Sequence, residues 1–350
     1  MSEKNLVISI DAMGGDNSPK VVIEGLSLAH KNNPNIRFLV YGDKAKVDAE
    51  IAKFPTLKDV CEVFHTAEFV HNEDKPSHVI RNRATSMYQA IEAVKLGKSQ
   101  AVVSAGNTGA LMAISKMVLK TIQKIHRPAI VSIMPHEYGR YVMLDLGANT
   151  ECDGINLAEF ALMGNIYAKC AFNMEKPRVA LLNIGAEEMK GKDEIHAAAH
   201  ILKSAHLNLN FIGNIEPHEI PKGKADVIVS DGFSGNIYLK TVEGTCHLVM
   251  HMIKSSIKDS WLAKLGLPFM LGAISKLKKK SDPRLYNGAM FVGLNGLSVK
   301  SHGGTDGLGF SVAVENAAKL VENDFVDSIR RELENIDLDE ISQEAYYEVY

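Results

Sequence analysis

Two parts of the chain join a buried, β-branched segment to a glycine-containing polar loop and then to the start of a helix. Ala101–Ser104 leads into Ala-Gly-Asn-Thr-Gly109, and Val227–Val229 leads into Ser-Asp-Gly-Phe-Ser-Gly-Asn236. At such a junction free backbone N–H groups and the helix dipole point into the loop, so the loop attracts anions. The repetition predicts a site for an anionic group between two sheet edges. Either loop alone could also be an ordinary connection between a strand and a helix.

The second loop contains the residues with the clearest binding geometry. Gly232 and Gly235 are expected to let the backbone turn sharply and to leave room for a ligand. Ser234 or Asn236 could cap a helix that runs from Ile237 onward. This stretch therefore predicts a backbone cradle at the start of a helix.

Other polar and glycine residues follow predicted strands in the same way. The candidates for holding an anion or polarising a carbonyl group are Asp11, Gly14, Gly15, Asp16, Gly106, Asn107, Thr108, Gly109, Asp145, Asn149, Asp231, Gly232, Ser234, Gly235, Asn236, His302 and Thr305. The accompanying cations are His78, Arg81, Arg83, Lys190 and Lys192. A lysine can present a point charge to phosphate or to a developing oxyanion, although a solvated lysine on a first helical turn is the more common case.

These residues include no evident covalent nucleophile. The sequence has no Gly-x-Ser-x-Gly elbow, and Ser234 has no histidine near it in sequence. Cys152 is a conceivable nucleophile, but an isolated cysteine in such a loop is more often inert. Asp11 and Asp16 could hold a metal, yet no further acidic ligands cluster with them, which favours capping or turn roles. Gly303–Gly309 superficially resembles a dinucleotide loop, but it lies near the carboxyl end and lacks an acidic residue at a strand end about 20 positions on that would bind the ribose. Neither a metal nor a cofactor is therefore predicted.

The elements that position these residues alternate between strand and helix. Such alternation is typical of an α/β fold with loops at the carboxyl ends of its strands, and we predict three layers, α/β/α, around a mostly parallel sheet. One long helix is expected over Ser77–Leu96. Residues 1–335 form a single two-lobed domain in this prediction, and the acidic segment 336–350 forms a mobile tail or surface helix without a catalytic part.

The composition limits the functional classes. The 350 residues carry a formal net charge of −3, which argues against broad nucleic-acid binding. The four cysteines are scattered and form no CxxC pair, which excludes the familiar zinc motifs and favours reduced thiols. No signal peptide is visible, nor any apolar run of the about 18 residues that span a bilayer. We therefore expect a cytoplasmic protein, attached at most to a membrane surface.

One helical segment, about 244–280, is both apolar and cationic. Lysines flank a group of apolar residues that we predict to contact a membrane. These residues are Trp261, Leu262, Leu265, Leu267, Phe269, Met270 and Leu271. A protruding helical pair with an apolar tip and a collar of lysines suits an anionic lipid surface. A dimer interface or a buried pair of core helices would explain the same composition.

Five spaced motifs occur in a fixed order along the chain. They are Ile8–Asp16, Val103–Met112, Leu144–Asn149, Ser230–Asn236 and Ser301–Asp306. Together they resemble the bacterial phosphate acyltransferase family, the acyl-carrier-protein–phosphate acyltransferases of phospholipid synthesis. The resemblance covers roughly Leu6 to Leu333. It implies a fold similar to that of phosphotransacetylases and of the isocitrate and isopropylmalate dehydrogenases.

The resemblance implies a reaction in which inorganic phosphate attacks the thioester of a fatty acyl-carrier protein and gives acyl phosphate and a free carrier thiol. Phosphate brings its own nucleophilic oxygen, so catalysis becomes positioning and charge stabilisation. In this hypothesis the loops 107–109 and 232–236 cradle the phosphate, and Lys190 neutralises phosphate or the oxyanion. The predicted catalytic residues are Lys190, Asn107, Asp231 and Asn236. Weaker candidates for phosphate or carrier contact are His78, Arg81 and Arg83.

The resemblance also implies partners. They are acyl-acyl-carrier protein, inorganic phosphate, a second copy of the chain in a homodimer, and a membrane surface or the membrane glycerol-3-phosphate acyltransferase that receives the product. The enzyme would then lie at the inner face of the cytoplasmic membrane. Two alternatives stay open: a phosphotransacetylase-like enzyme that uses a short acyl-CoA, and a catalytically inactive membrane scaffold. A decarboxylating dehydrogenase is disfavoured, because neither its metal-binding aspartates nor its nucleotide site is visible.

Overall fold

The computed structural model describes residues 6–203, 207, 209–259, 269, 272, 275, 282–334, 336, 338, 340 and 341. Its strands are β1 Leu6–Asp11, β2 Ile36–Gly42, β3 Cys61–His65, β4 Ala101–Ser104, β5 Ala129–His136, β6 Gly139–Leu144, β7 Arg178–Leu182, β8 Asn210–Ile215, β9 Val227–Val229, β10 Ala289–Val292 and β11 Leu297–Lys300. Its α-helices are α1 Lys20–Asn32, α2 Lys44–Ile51, α3 Pro76–Val79, α4 Ser86–Lys95, α5 Thr108–Leu119, α6 Gly154–Phe172, α7 Asp193–Lys203, α8 Gly232–Asp259, α9 Gly307–Glu322 and α10 Phe325–Glu334.

The eleven strands form one sheet in the order β3-β2-β1-β4-β11-β10-β5-β6-β9-β7-β8. Seven of the ten strand pairings are parallel, and three, β11–β10, β10–β5 and β5–β6, are antiparallel. The predicted α/β fold with a mostly parallel sheet is confirmed.

Alternate residues of the central strands point into two hydrophobic layers. In β4, Ala101 and Val103 join the larger cluster together with α1, α6 and α9, whereas Val102 joins a second cluster with α4 and α5. All three side chains are fully buried. A strand covered on both faces has to be apolar at every position, which explains the uninterrupted apolar runs in the sequence.

Helix α6 runs through the larger cluster and is buried on almost every side. Asp153 and Asn156 form a capping box at its start, where each side chain bonds to the backbone of the other residue. Phe160 and Tyr167 are fully buried along its length. The capped start follows directly on the loop after β6, so this helix anchors one of the loops that carry predicted site residues.

The antiparallel pairings reverse the direction of the strands within the sheet. Only two residues, Glu137 and Tyr138, join β5 to β6, and only four, 293–296, join β10 to β11. Connections this short can join only antiparallel neighbours, because a parallel crossover needs a dozen or more residues. The carboxyl ends of β1, β4 and β11 therefore lie at one edge of the sheet, and those of β6, β7 and β9 lie at the opposite edge.

Two predicted helices differ from the structure. The stretch expected to be one helix over Ser77–Leu96 contains the short α3 and a separate α4. Thr85 starts the new helix, because its side chain accepts a hydrogen bond from the Tyr88 N–H at 3.3 Å. Helix α8 begins at Gly232 and not at Ile237, so the second glycine loop is the first turn of that helix.

The segment expected to contact a membrane lies largely outside the described residues. Trp261, Leu262, Leu265, Leu267, Met270 and Leu271 all belong to that part of the chain. Phe269 is described: the residue has a helical conformation and is 93% exposed. Within the described ranges, no helix combines the length and the apolarity that crossing a membrane would require.

The first residues of the acidic tail pack against the core. Ile336, Leu338 and Ile341 are buried in the larger hydrophobic cluster. Lys124 Nζ donates hydrogen bonds to the carbonyl oxygens of Leu333 at 3.1 Å and of Ile336 at 2.9 Å. The alternative of a mobile tail is therefore wrong for these positions, since three apolar side chains among the acids supply a buried face. The helical conformation of residues 338, 340 and 341 agrees with the other alternative, a helix at the surface.

Candidate active site

The predicted site residues fall into two groups. The Asp11 cluster follows β1, β4 and β11, and its members are Asp11, Gly14, Gly15, Asp16, Gly106, Asn107, Thr108, Gly109 and His302. The Asp145 cluster follows β6, β7 and β9, and its members are Asp145, Asn149, Lys190, Asp231, Gly232, Ser234, Gly235 and Asn236. Arg81 lies in the connection between α3 and α4, on the side of the Asp11 cluster.

The two clusters are far apart within one chain. β4 and β9 are separated by five steps in the sheet, so their ends lie about 20 Å or more apart at about 4.8 Å per strand. They also face opposite edges, because the antiparallel strands between them reverse the direction. The hypothesis that the loops 107–109 and 232–236 hold the same phosphate is therefore wrong within a single chain.

Asp11 is the buried centre of the first cluster. Ser86 and Ser104 donate their hydroxyl hydrogens to its two carboxylate oxygens, at 2.6 and 2.7 Å. Burial raises the pKa of Asp11, and these hydrogen bonds oppose that shift. Because it ties β1 to β4 and to the start of α4, Asp11 acts as a positioning residue.

Glycines allow the loops after β1 and β4 to touch. A Cβ atom on Gly14 would lie 2.6 Å from the backbone nitrogen of Gly106, and one on Gly106 would lie 2.7 Å from Met87 Cε. Gly15 adopts a φ of +103°, which favours glycine. Larger residues at these positions would separate the two loops.

Asn107 caps α5 and holds a neighbouring loop. Its Oδ1 accepts a hydrogen bond from the Ala110 N–H at 3.0 Å, and its Nδ2 donates to two backbone carbonyls of the loop 72–74 at 2.8 and 3.2 Å. Thr108 and Gly109 are exposed in the first turn of the helix. The N–H groups of a first turn have no partner inside the helix, so an anion can bind there.

A histidine and an arginine border this helix start. His78 and Arg81 are exposed on and after α3, which packs against α5. Asp16 donates its backbone N–H to the Gly303 carbonyl at 3.0 Å, so the loops after β1 and β11 meet here. His302 is exposed in the second of these loops. The Asp11 cluster thus offers backbone donors and positive charge, which suit a phosphate group.

Lys300 lies beneath the Asp11 cluster and was missed by the sequence analysis. Its side chain is buried, and its Nζ donates to the Ala105 carbonyl at 3.2 Å and to the Ser301 carbonyl. Burial lowers its pKa to about 8, against the opposing charges of Asp16 and Asp11. The signal in the sequence is a charged residue at the end of a buried strand, directly before the fifth motif.

Asp145 organises the second cluster. Its carboxylate accepts hydrogen bonds from four backbone N–H groups, those of Ile130, Gly147, Ala148 and Asn149, at 2.7–3.2 Å. The Asn149 side chain adds a fifth bond at 2.9 Å and also donates to the Pro128 carbonyl at 2.8 Å. Burial raises the pKa of Asp145, and the donated bonds oppose this. Asp145 and Asn149 therefore shape the loop after β6.

The first turn of α8 packs directly on this loop. A Cβ atom on Gly235 would lie 1.9 Å from the Asp145 carbonyl oxygen, and one on Gly232 would lie 2.6 Å from the Asn149 carbonyl oxygen. The Gly232 N–H donates to that same Asn149 oxygen at 2.7 Å. Close packing, and not the sharp turn that the sequence indicated, requires these glycines, because neither adopts a left-handed φ.

Asp231 caps α8. Its Oδ1 accepts a hydrogen bond from the Ser234 N–H and its Oδ2 accepts one from the Ser234 hydroxyl, both at 2.8 Å. The prediction that Ser234 or Asn236 caps the helix is wrong, because the helix starts at Gly232 and includes both residues. Asn236 is exposed next to Gly147 of the neighbouring loop.

Cys152 lies beside the Asp145 cluster as a protonated thiol. Burial, together with the negative charges of Asp145 and Asp231, raises the pKa of the thiol to about 12. This pKa removes Cys152 as a nucleophile at neutral pH. Among the residues that the structure describes, no group of three or more His, Cys, Asp or Glu side chains is arranged to hold a metal ion.

A cavity of about 580 Å³ opens beside the Asp145 cluster. The ends of β7 and β9 form its floor, and α6, α7 and α8 form its walls. Asp231 and Ser234 lie at one side, and Asn183 and Lys192 belong to the loop over it. Lys192 pairs with Glu194 at 3.5 Å.

Lys190 belongs to the loop that borders this cavity, and its side chain is exposed. Its backbone carbonyl accepts hydrogen bonds from Asn183 Nδ2 at 2.8 Å and from His196 Nε2 at 2.9 Å. Gly191 follows with a φ of +102°. The backbone of the loop is thus held in place, while the ammonium group of Lys190 reaches solvent.

The sequence matches one protein family and closely similar proteins over nearly its whole length. Residues 6–328 match the family described as "Fatty acid synthesis protein". A protein named phosphate acyltransferase from Paramagnetospirillum magneticum is 49% identical over 338 residues, which cover 96% of this chain and 96% of the relative. A phosphate acyltransferase from Rhodospirillum rubrum is 46% identical over 333 residues, 95% of each chain.

Solved structures share the fold. A phosphotransacetylase from Streptococcus pyogenes has a TM-score of 0.63 and covers 91% of this chain and 95% of its own, at 17% identity. The match to the EutD phosphotransacetylase from Staphylococcus aureus has a TM-score of 0.58 at 18% sequence identity. It covers 91% of this chain and 94% of the other chain. At these identities the likeness concerns the fold alone, and it confirms the predicted similarity to phosphotransacetylases.

Proposed function

This chain belongs to the phosphate acyltransferase family, and from that premise we propose that it transfers a long-chain fatty acyl group from acyl carrier protein to inorganic phosphate. The chain is an acyltransferase, and phosphate is its acyl acceptor. The proposal adds the carrier-bound, long-chain donor and the use of the product, an acyl phosphate, in phospholipid synthesis.

The proposed reaction starts with the attack of a phosphate oxygen on the carbonyl carbon of the thioester. The tetrahedral intermediate collapses with cleavage of the carbon–sulfur bond, the carrier thiolate takes up a proton, and acyl phosphate leaves. Backbone N–H groups and lysine side chains stabilise the charge on the intermediate. Binding phosphate and thioester together supplies much of the remaining rate enhancement.

The observation that carries this proposal is the presence of anion-binding groups beside protein nucleophiles that are inactive. Cys152 is held protonated, and the Ser234 hydroxyl is donated to Asp231. The exposed ammonium group of Lys190 supplies positive charge near the cavity. Such a site favours a nucleophile that is brought by the substrate, as phosphate is.

A homodimer would let both clusters serve one reaction. We assign the thioester to the Asp145 cluster, which adjoins the cavity, and the phosphate to the Asp11 cluster of a second copy. The exposed apolar side chains of Leu248, Val249 and Met252 on α8 support such a contact, because apolar groups on one exposed face favour association.

Contact with the inner face of the cytoplasmic membrane would bring the acyl phosphate to its next enzyme, a membrane glycerol-3-phosphate acyltransferase. The apolar and cationic composition of the segment 244–280 and the exposure of Phe269 support this assignment. Phe269→Asp should reduce co-flotation with anionic vesicles and leave turnover in solution unchanged. The control is Tyr138→Asp, which changes an exposed aromatic residue of the β5–β6 hairpin. Equal flotation of both variants would argue against the assignment.

The assay that tests the function offers palmitoyl-carrier protein and inorganic phosphate, and measures acyl phosphate and free thiol. Stoichiometric formation of both products from the carrier substrate is the expected result. Product formed from palmitoyl-CoA alone would move the chain to the phosphotransacetylase alternative. No product from either donor would contradict the carrier-bound donor and favour the membrane scaffold.

A further inference from the structure

The cavity of about 580 Å³ extends along one face of α8. Ser234, Ile237, Tyr238 and Thr241 line it, at positions i, i+3, i+4 and i+7 of the helix. Seven residues at about 1.5 Å each give a lined face about 10 Å long. The volume falls within the range of about 300–1,000 Å³ that is typical of small-molecule sites.

The remaining walls of the cavity are mainly aliphatic. Leu157 from α6, Leu181 from β7, Ile195 from α7 and Val229 from β9 contribute to them. Leu157, Leu181 and Val229 are buried in the larger hydrophobic cluster, and Ile195 packs against it. Because the walls are part of the core, the cavity is largely preformed.

Three polar side chains that line the cavity, those of Ser234, Tyr238 and Asn183, are already hydrogen-bonded within the protein. The Ser234 hydroxyl donates to Asp231, and the Tyr238 and Tyr141 hydroxyls lie 3.2 Å apart. Both ends of the Asn183 amide bond to backbone groups of its own loop. A ligand that brought amide or hydroxyl groups into this space would leave them without partners, at a cost in free energy. A hydrocarbon chain carries no such groups.

Exposed apolar side chains border the mouth of the cavity. Ile184 is 79% exposed and Ile237 is 51% exposed, and both belong to the lining. Lys192 and Asp231 lie at the same mouth. The cavity is therefore charged at its opening and apolar along its walls, which matches a ligand with a polar end and an apolar body.

We propose that this cavity binds the fatty acyl chain of the substrate, with the thioester at Ser234 and the terminal methyl group toward Thr241. The inference rests on the proposed function and adds the site that sets the preference for chain length. A longer chain gains affinity as long as further methylene groups find room between α8 and the ends of β7 and β9.

The first test narrows the far end of the cavity with Thr241→Phe and measures kcat/KM for octanoyl- and palmitoyl-carrier proteins. Each methylene group excluded from an apolar site should weaken binding about fourfold, so palmitoyl transfer should fall by tenfold or more while octanoyl transfer stays within about twofold. Glu243→Phe is the control, because it adds bulk to an exposed part of the same helix that neither lines the cavity nor belongs to the apolar group Leu248, Val249 and Met252.

Suppose that the wild type transfers palmitoyl groups and that Thr241→Phe has the same ratio of kcat/KM for palmitoyl and octanoyl donors as the wild type. That result would overturn the cavity assignment and leave the proposed function standing. A wild type without transfer from any carrier substrate would overturn the function itself.

A second measurement does not depend on the folding of a variant. Palmitoyl-carrier protein with a diazirine at the terminal methyl group is photolysed on the wild-type enzyme, and the labelled peptides are identified by mass spectrometry. Labels on Leu181, Ile195 or the segment 237–241 are expected. Labels confined to the segment 244–281 would overturn the assignment.

Discussion

Two lysines near the ends of strands illustrate different uses of the same side chain. The ammonium group of Lys190 reaches solvent beside the cavity, whereas that of Lys300 is buried and donates to backbone carbonyls. A charge that stabilises a reacting group has to be accessible to it, and a buried charge mainly holds loops in place. The two residues therefore lead to separate predictions.

Replacing Lys190 tests the charge at the cavity mouth. Lys190→Ala should lower kcat/KM for palmitoyl-carrier protein by about 100-fold, because one donor to a developing oxyanion is lost. The matched control is Lys222→Ala, since Lys222 is exposed beside the β5–β6 hairpin at the opposite edge of the sheet. Steady-state kinetics should show near wild-type values for the control, and an equal loss in both variants would refute the assigned role.

The pKa of Lys300 predicts how stability depends on pH. Between its folded value of about 8 and its ordinary value of 10.5, the unfolded chain binds more protons than the folded chain, so the free energy of unfolding rises with pH. Below about pH 8 the cost of burying the charge is fully present, and above about pH 10.5 it is absent. At about 1.4 kcal/mol for each pH unit, the interval corresponds to about 3 kcal/mol.

Denaturant unfolding of the wild type and of Lys300→Met over this pH interval isolates the effect from other titrating groups. The stability of the wild type relative to the variant should rise by about 3 kcal/mol across the interval. A difference that does not change with pH would mean that Lys300 titrates as it does in the unfolded chain.

The polar residues show which part of the site could be predicted. The sequence placed Asp11, Asn107, Asp145 and Asp231 at strand ends or helix starts, and the structure agrees. It did not show that the two carboxylate oxygens of Asp11 are used by other segments, because the donors Ser86 and Ser104 are distant in sequence. Ser86 reaches Asp11 across 75 positions, and no local pattern marks such a contact.

At the scale of elements, the first turn of α8 depends on close approach to the loop after β6. Gly235→Ala should lower the free energy of unfolding by about 3 kcal/mol, near the upper end of overpacking costs, because its Cβ would meet the Asp145 carbonyl oxygen. The control in the same helix is Gly244→Ala, where a Cβ would meet nothing within 4 Å. That change should raise stability by about 0.5–1 kcal/mol.

Thermal and denaturant unfolding compare these two variants directly. Stabilisation or no effect by Gly235→Ala would contradict the contact between α8 and the Asp145 loop. The same helix supplies both positions, so its overall helix propensity cannot explain opposite results.

The connections between strands contained more information than the sequence analysis used. The two residues 137–138 and the four residues 293–296 are too short for parallel crossovers. Counting them would have predicted two antiparallel hairpins and hence two reversed groups of strands. The order of the strands was out of reach, because the pairing of β11 with β4 joins segments nearly 200 positions apart.

At the scale of the whole molecule, the separation of the two clusters leads to a prediction about mixed dimers. Arg81→Ala alters the Asp11 side and Lys190→Ala the Asp145 side, and each variant alone should be nearly inactive if both clusters serve one reaction across a dimer. After mixing and subunit exchange, half of the dimers contain one copy of each variant. In such a dimer one site combines the two unmutated clusters and the other combines the two mutated ones. About a quarter of the wild-type activity should therefore return.

Activity measured before and after exchange decides the matter, with an affinity tag on one variant and co-purification of the untagged one to confirm that exchange has occurred. Failure to regain activity from exchanged dimers would place the whole reaction within one chain. Mixing two samples of Lys190→Ala is the control and should restore nothing.

Strands β10 and β11 lie in the middle of the sheet, although they come from the last part of the chain. While the ribosome makes the protein, β4 is complete at residue 104, but its neighbour β11 is complete only at residue 300. At about 5–20 residues per second this interval lasts about 10–40 s. Throughout it the edge of β4 is unpaired, and from residue 229 onward a second half-sheet with an unpaired edge at β5 is present as well. Such edges are sites for wrong pairing. The segment that joins the two half-sheets is thus among the last to be made, and the time before it arrives is when the protein most needs protection from aggregation.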